Sequence, residues 1–300
     1  MRAAFCYRII LDESLSIDAA LAGKKLALPP PARQPKKDTT MHEQSAPPQP
    51  GGPDDAARLL PLGKIGATLA AGAAFCALAA MLFVWLAHGA LGDRYIHLDD
   101  GLILWLHARA TPALSAAMLL LTTIGEPMVL GLLVALMALG LYLKHRWVDA
   151  AALVLAAAGG GVLNQLLKGL YQRVRPDLTP RTFDVAGYSF PSGHAMGAMV
   201  CYGMLAVVLW RLLRGTRLRP AVWPAATLII LGVGLSRVYF GVHFPTDILG
   251  GYLAGAIWLA CCIVALRIAT WRWEDRTTHR EGAKAQREPI HHQDTKATRF

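Results

Sequence analysis

Long uninterrupted apolar runs constrain this chain more than any other feature. They lie near Ile65–Ala87, Met128–Leu143, Val148–Leu167, Met196–Leu213, Ala221–Leu235 and Ile248–Ile268. A helix rises about 1.5 Å per residue and the hydrocarbon core of a bilayer is about 30 Å thick, so about 20 apolar residues cross it. Inside lipid every backbone N–H and C=O needs a partner within the segment, which a helix alone provides at this length. With 54% hydrophobic residues concentrated in such blocks, the expected fold is all-α, a polytopic membrane protein of six transmembrane helices.

The basic residues orient it. The net charge of +10 would suit a nucleic-acid binder, but many cations flank apolar runs, as in Lys144-His145-Arg146 and at Arg211, Arg214, Arg217 and Arg219. Cytoplasmic loops carry such an excess, so no nucleic-acid partner is expected. With these loops inside, both termini are cytoplasmic and the loop holding Asp93, Asp99 and Asp100 is external. Residues 102–124 are then not a further span, which would invert both basic loops. They are expected to form an external amphipathic helix followed by a partly immersed one. The implied location is the plasma (inner) membrane, with 168–190 and 237–247 together on the external, periplasmic face.

The ends differ from the middle. Residues 1–60, with "LALPPPARQPKK" and "SAPPQPGGPDD", are too rich in Pro, Gly and charge to bury a core and are expected to be a disordered tail. No signal-peptide pattern opens them, and Met41 is an alternative start. Residues 61–270 form the membrane domain and 271–300 a cytoplasmic tail. Cys6, Cys76, Cys201, Cys261 and Cys262 show no framework or metal-binding spacing.

Three short segments break the apolar pattern on the external face. They are Lys168-x6-Arg175-Pro176, Pro191-Ser192-Gly193-His194 and Ser236-Arg237-x5-His243-x3-Asp247. Cations on the wrong side of the membrane invite a bound anion. Arg offers phosphate a planar fork and Lys a point charge, so Lys168, Arg175 and Arg237 together suit a phosphoryl group. Ser192 and Gly193 open a helix, whose unpaired N–H groups and dipole attract an anion, and Gly193 permits close backbone approach. His243 and Asp247 are four apart, one helical turn. A carboxylate on one imidazole nitrogen fixes the tautomer and frees the other nitrogen to attack. Pro245 suits the first helical turn.

Other residues carry blander readings. His88, His97, His107 and His145 read as interfacial. Arg173 and Arg181 read equally as loop charges or phosphate ligands. Glu126 in "IGEP" reads as a helix cap, with a pocket-lining residue as the alternative. Gly159–Gly161 reads as close helix packing. Tyr188, Phe190, Tyr239 and Phe240 suit either a lipid-tail border or an aromatic belt.

Together the three segments resemble the phosphatidic acid phosphatase type 2 superfamily, which includes vanadium haloperoxidases and glucose-6-phosphatase-like enzymes. The resemblance spans the membrane region between about 60 and 270, not the tails. It implies a lipid phosphate phosphatase in which His243 is the nucleophile, Asp247 orients it and His194 is the general acid. Lys168, Arg175, Ser192, Gly193 and Arg237 would bind the phosphate. Neither a cofactor nor a metal is expected, because the cations supply the charge a metal would bring. The partners are a lipid phosphate substrate and the bilayer, with no obligatory protein partner. Phosphatidic acid, phosphatidylglycerol phosphate and polyprenyl diphosphate are all candidate substrates. A phosphotransferase with a lipid hydroxyl as acceptor would share every motif, and a non-enzymatic carrier would not need the His243–Asp247 pair.

Overall fold

The computed structural model describes residues 53–92, 94–179 and 186–287, with side chains between 66 and 272. Most of the expected tails, Met41 and Arg181 therefore lie outside the described residues. The chain divides into two compact units, residues 1–73 and 74–300. Helix α1 (Pro53–Leu91) begins in the first and ends in the second.

After α1 come α2 (Ile96–His107), α3 (Pro112–Ile124), α4 (Pro127–Leu143), α5 (Trp147–Tyr171) and α6 (Gly193–Leu212). A short 3₁₀ turn at Arg219–Ala221 leads to α7 (Val222–Tyr239), and α8 runs Pro245–Arg287. All regular structure among the described residues is helical, as the apolar runs require. Helix α8 passes well beyond residue 270, because Arg, Glu, Lys and Ala sustain a helix as well as apolar residues do.

Five helices are long and apolar enough to cross a membrane: the α1 portion Gly66–Leu91, α5, α6, the α7 region and the α8 portion Pro245–Arg272. The run expected at Met128–Leu143 is not a self-sufficient span. Helix α4 has 17 residues, or about 26 Å at about 1.5 Å each. It forms a bent pair with α3, the two axes meeting at 54°. Thr111 caps α3 by accepting the Leu114 N–H, and Pro112 and Pro127 open the two helices where a missing N–H costs nothing. Residues expected to be partly immersed thus complete the remaining span, for a total of six if the pair counts as one. Helix α2 has 12 residues, too few to cross. It keeps Ile103 fully buried against Ala195, Val238, Phe244 and Ile248 while Leu98 and Trp105 stay exposed.

The two basic loops meet at one end. Arg146 and Arg211 hold the buried Asp149 carboxylate from either side, at 2.8 and 2.9 Å, joining the start of α5 to the end of α6. The three polar segments gather where α5 and α7 end and α6 and α8 begin.

Close packing between α6 and α8 fixes that second end. In lipid, helix association depends on tight contact between small residues. A Cβ at Gly251 would lie 2.7 Å from the Ser192 carbonyl oxygen, and one at Gly255 would lie 2.9 Å from the Met199 Cβ. The expected packing role of Gly159–Gly161 holds for two of them: Gly159 abuts Trp258 and Gly160 abuts Val200, while Gly161 faces open space.

Candidate active site

Backbone hydrogen bonds tie the three polar segments together. The Ser189 N–H donates to the Arg173 carbonyl at 2.8 Å, and the Ser192 N–H donates to the Asp247 carbonyl at 3.0 Å. The third segment turns back on itself, the Val242 N–H reaching the Arg237 carbonyl at 3.2 Å. Gly241 makes that turn with φ of +63°, a left-handed conformation that glycine adopts without penalty.

This turn, rather than helical stacking, brings His243 to Asp247. Helix α8 begins only at Pro245, so His243 lies just before it. Asp247 is fully buried, and its Oδ2 accepts the Phe244 N–H at 2.9 Å, the reach-back half of a capping box. The same oxygen lies 3.3 Å from His243 Nδ1. On the other side, Arg175 Nη1 lies 3.0 Å from His243 Nε2. A guanidinium can only donate, so Nε2 accepts and Nδ1 carries the proton, aimed at Asp247. Burial, helped by the Arg175 and Arg237 cations, lowers the His243 pKa to about 4 against the opposing pull of Asp247. The imidazole is therefore neutral at pH 7.

The expected phosphate ligands converge, but several are engaged by the protein. Lys168 Nζ donates to the Tyr188 carbonyl. Arg175 donates to the carbonyls of Gly187 and Val242, each at 2.9 Å, and more weakly to those of Ala186 and Tyr188. Arg237 is buried, and its Nη1 donates to Thr122 Oγ1 at 2.7 Å. Arg237 Nε and Ser192 Oγ are buried donors with no partner among the described residues. Ser192 occupies the N-cap of α6 yet makes no side-chain capping bond, leaving its hydroxyl available to an anion. Gly193 serves packing as well: a Cβ there would come within 3.1 Å of Asn164 Oδ1.

His194 faces the break between α3 and α4. A Cβ on Gly125 would lie 3.4 Å from the His194 ring, and Glu126 Oε2 is 3.2 Å from His194 Nε2. Glu126 does take the N-cap position of α4, but its side chain caps nothing there. The capping expectation is thus right for the backbone and wrong for the carboxylate. Lys168, Arg175, Arg237 and His243 are all within electrostatic reach of His194.

Four groups have roles that the sequence does not show. Arg173 is not a loop charge: it is buried between Asp247 and Asp99, at 2.7 and 3.0 Å. Asp99, expected in an external loop, is buried on α2. Thr246 binds both Asp99 and Arg173, and Thr122 holds Arg237. Acidic residues in weakly polar surroundings were the available signal for Asp99 and Glu126. The aromatic residues also resolve: Phe190 packs against Phe83 and Tyr171, and the Tyr239 hydroxyl lies 2.6 Å from that of Ser115. Phe190, Tyr239 and Phe240 are buried core; Tyr188 is exposed. His88, His97, His107 and His145 are exposed.

Helices that cross a bilayer, ending in a cluster of cations around two carboxylate-bonded histidines, define a multi-pass membrane enzyme that handles an anionic group. The PAP2 superfamily matches residues 149–272. Phosphatidylglycerophosphatase B of Bacillus subtilis is 35% identical over 147 residues, 49% of this chain and 72% of that protein. Undecaprenyl-diphosphatase BcrC of the same organism is 34% identical over 107 residues, 33% of this chain and 48% of its own length. The crystal structure of a transmembrane PAP2-type phosphatidylglycerolphosphate phosphatase from Bacillus subtilis superposes with a TM-score of 0.59 at 29% identity. That match covers 62% of this chain and 93% of the other. The chain belongs to the PAP2 superfamily and is a membrane phosphatase.

Proposed function

We propose that this chain hydrolyses the phosphate or diphosphate of a membrane lipid through a phosphohistidine on His243. The observation that carries this reading is the tautomer of His243: Nδ1–H faces Asp247, and the Nε2 lone pair faces the cationic cluster. Nε2 attacks phosphorus and the bond from phosphorus to the lipid oxygen breaks. The ring gains positive charge, which Asp247 balances. Because Glu126 can only accept, His194 keeps one proton on Nε2 toward that carboxylate; as an imidazolium it carries a second on Nδ1, which passes to the departing lipid oxygen and leaves the ring neutral. Water then attacks the phosphohistidine, His194 takes its proton, and the phosphorus–nitrogen bond breaks.

Arg175, Arg237, Lys168, the Ser192 hydroxyl and the amide groups opening α6 neutralise the phosphoryl oxygens as charge builds on them. Phosphatidylglycerol phosphate, undecaprenyl diphosphate and phosphatidic acid fit this site alike, since it reads the headgroup while the tail stays in the bilayer. The active end faces outward and the Lys144–Arg146 and Arg211–Arg219 loops face the cytoplasm, as their charge supports. Water is the acceptor; the similarity to a phosphatase across 49% of this chain favours it over a lipid hydroxyl.

Phosphate release from a panel of lipid mono- and diphosphates in detergent tests this. Activity should survive EDTA, be inhibited by vanadate and vanish in His243→Ala. Loss in EDTA with rescue by magnesium, or full activity in His243→Ala, would overturn the reading.

A further inference from the structure

Helix α2 is too short to cross the membrane and contributes nothing to the phosphate cluster, yet it delivers a buried carboxylate to the root of the active site. Asp99 Oδ1 accepts the Thr246 N–H at 3.1 Å, and Oδ2 accepts the Thr246 hydroxyl at 2.6 Å. That N–H belongs to the first turn of α8, so Asp99 caps from α2 a helix that begins 146 residues later. Arg173 closes the circuit. Its Nη2 binds Asp99 Oδ2 at 3.0 Å, and its Nη1 binds Thr246 Oγ1 and Asp247 Oδ1, both at 2.7 Å. The guanidinium is also stacked on the Phe244 ring, 4.1 Å from its centroid.

We propose that Asp99 and Arg173 are positioning residues for the nucleophile, acting through Asp247 on His243. This rests on the reading of His243 as the phosphorylated residue. Arg173 locks Asp247 Oδ1, which leaves Oδ2 to face the imidazole. On its own, that lock would weaken the carboxylate, because a full cation beside Asp247 cancels the negative charge that must stabilise a positive phosphorylated ring. Asp99 restores the balance. With two carboxylates sharing one guanidinium, the buried trio keeps a net charge of −1 where the imidazole becomes cationic. The attachment of α2 does not depend on Asp99 alone, because Ile103 is buried in the core formed with α6, α7 and α8.

The test separates the two half-reactions, using the full-length protein in detergent and rapid-quench kinetics with a ³²P-labelled lipid phosphate. Asp99→Asn keeps the shape and removes the charge. It should slow phosphorylation of the enzyme about 10- to 100-fold, the range over which supporting shells act. KM should be unchanged, and hydrolysis of the phosphoenzyme no slower. Asp99→Glu should recover part of the phosphorylation rate. A merely structural role would slow both steps or raise KM, and Asn and Glu would be equally harmful. Normal phosphorylation in Asp99→Asn would also overturn the proposal. If Asp99→Asn does not fold, Arg173→Lys, which keeps the charge but cannot bridge both carboxylates, should show the same selective slowing. Equal slowing of both steps there overturns the proposal. His243→Ala is read in parallel: a phosphoenzyme in that variant sinks the underlying reading, whereas its absence beside a normal Asp99→Asn sinks this proposal alone.

Discussion

Arg175 Nη1 lies 3.0 Å from His243 Nε2, so a cation occupies the lone pair with which the histidine would attack. If His243 is the nucleophile as proposed, phosphate oxygens would have to draw the guanidinium away from that nitrogen before phosphorus could reach it. The contact keeps the imidazole neutral and its tautomer fixed until substrate arrives, and the guanidinium is then on hand to bind the transferring group.

Arg175 should therefore matter more to the transition state than to substrate binding. Arg175→Gln is expected to lower kcat by about 10²–10³, the usual effect of removing one donor to a developing oxyanion. Inhibition by vanadate should weaken in the same variant. A change confined to KM, measured by initial rates on a lipid phosphate in detergent, would show that Arg175 only captures substrate.

The pH profile follows from His243. Its pKa is lowered to about 4 by burial and by the Arg175 and Arg237 cations, while Asp247 opposes. Protonation blocks Nε2, so activity is lost as pH falls through that value, not through about 6.5 as for an ordinary histidine. Phosphate esters ionise near about 6, so the substrate titration is measured separately and removed from the kcat/KM profile. An enzyme limb remaining near 6.5 would contradict the buried neutral imidazole.

His194 and Glu126 should divide the substrates. A lipid alkoxide is a poor leaving group, whereas a lipid monophosphate leaves a diphosphate readily. General acid assistance is worth about 10²–10⁴-fold. His194→Ala should approach that loss on a monoester and fall clearly short of it on a polyprenyl diphosphate. Glu126→Gln should reproduce the pattern more weakly, because an amide can still accept from Nε2. Equal losses on both substrates would make His194 a phosphate donor or the base for dephosphorylation.

Sidedness has a direct readout. In a variant with the native cysteines replaced by alanine, cysteine at the exposed Tyr188 should react with a membrane-impermeant thiol reagent in intact cells. Cysteine at the exposed Thr216, beyond α6, should not. The opposite pattern would put the active end in the cytoplasm.

Much of this was legible in the sequence because it is local. A run of apolar residues encodes its own helix, and Pro191–His194 and His243–Asp247 are contiguous enough to show their chemistry at a glance. What was hidden depends on distant pairing. Arg173 meets Asp99 and Asp247 across 74 residues in each direction, and Glu126 meets His194 across 68. Nothing near Arg173 distinguishes it from a solvated charge. Likewise α3 reads as a partly immersed segment, and only its union with α4 reveals a broken span that delivers Thr122 and Glu126 to the site.

The glycine seam between α6 and α8 sets what can be altered by design. Because the Gly251 backbone lies against the Ser192 carbonyl, the turn that opens α6 and the helix carrying Asp247 are one casting. Even a methyl group there would move both, and protein engineers have no tolerance to exploit along that face. Leu249 on α8 and Leu166 on α5, by contrast, are exposed and lie off that seam. Substitutions at those outer positions would leave the packed seam untouched.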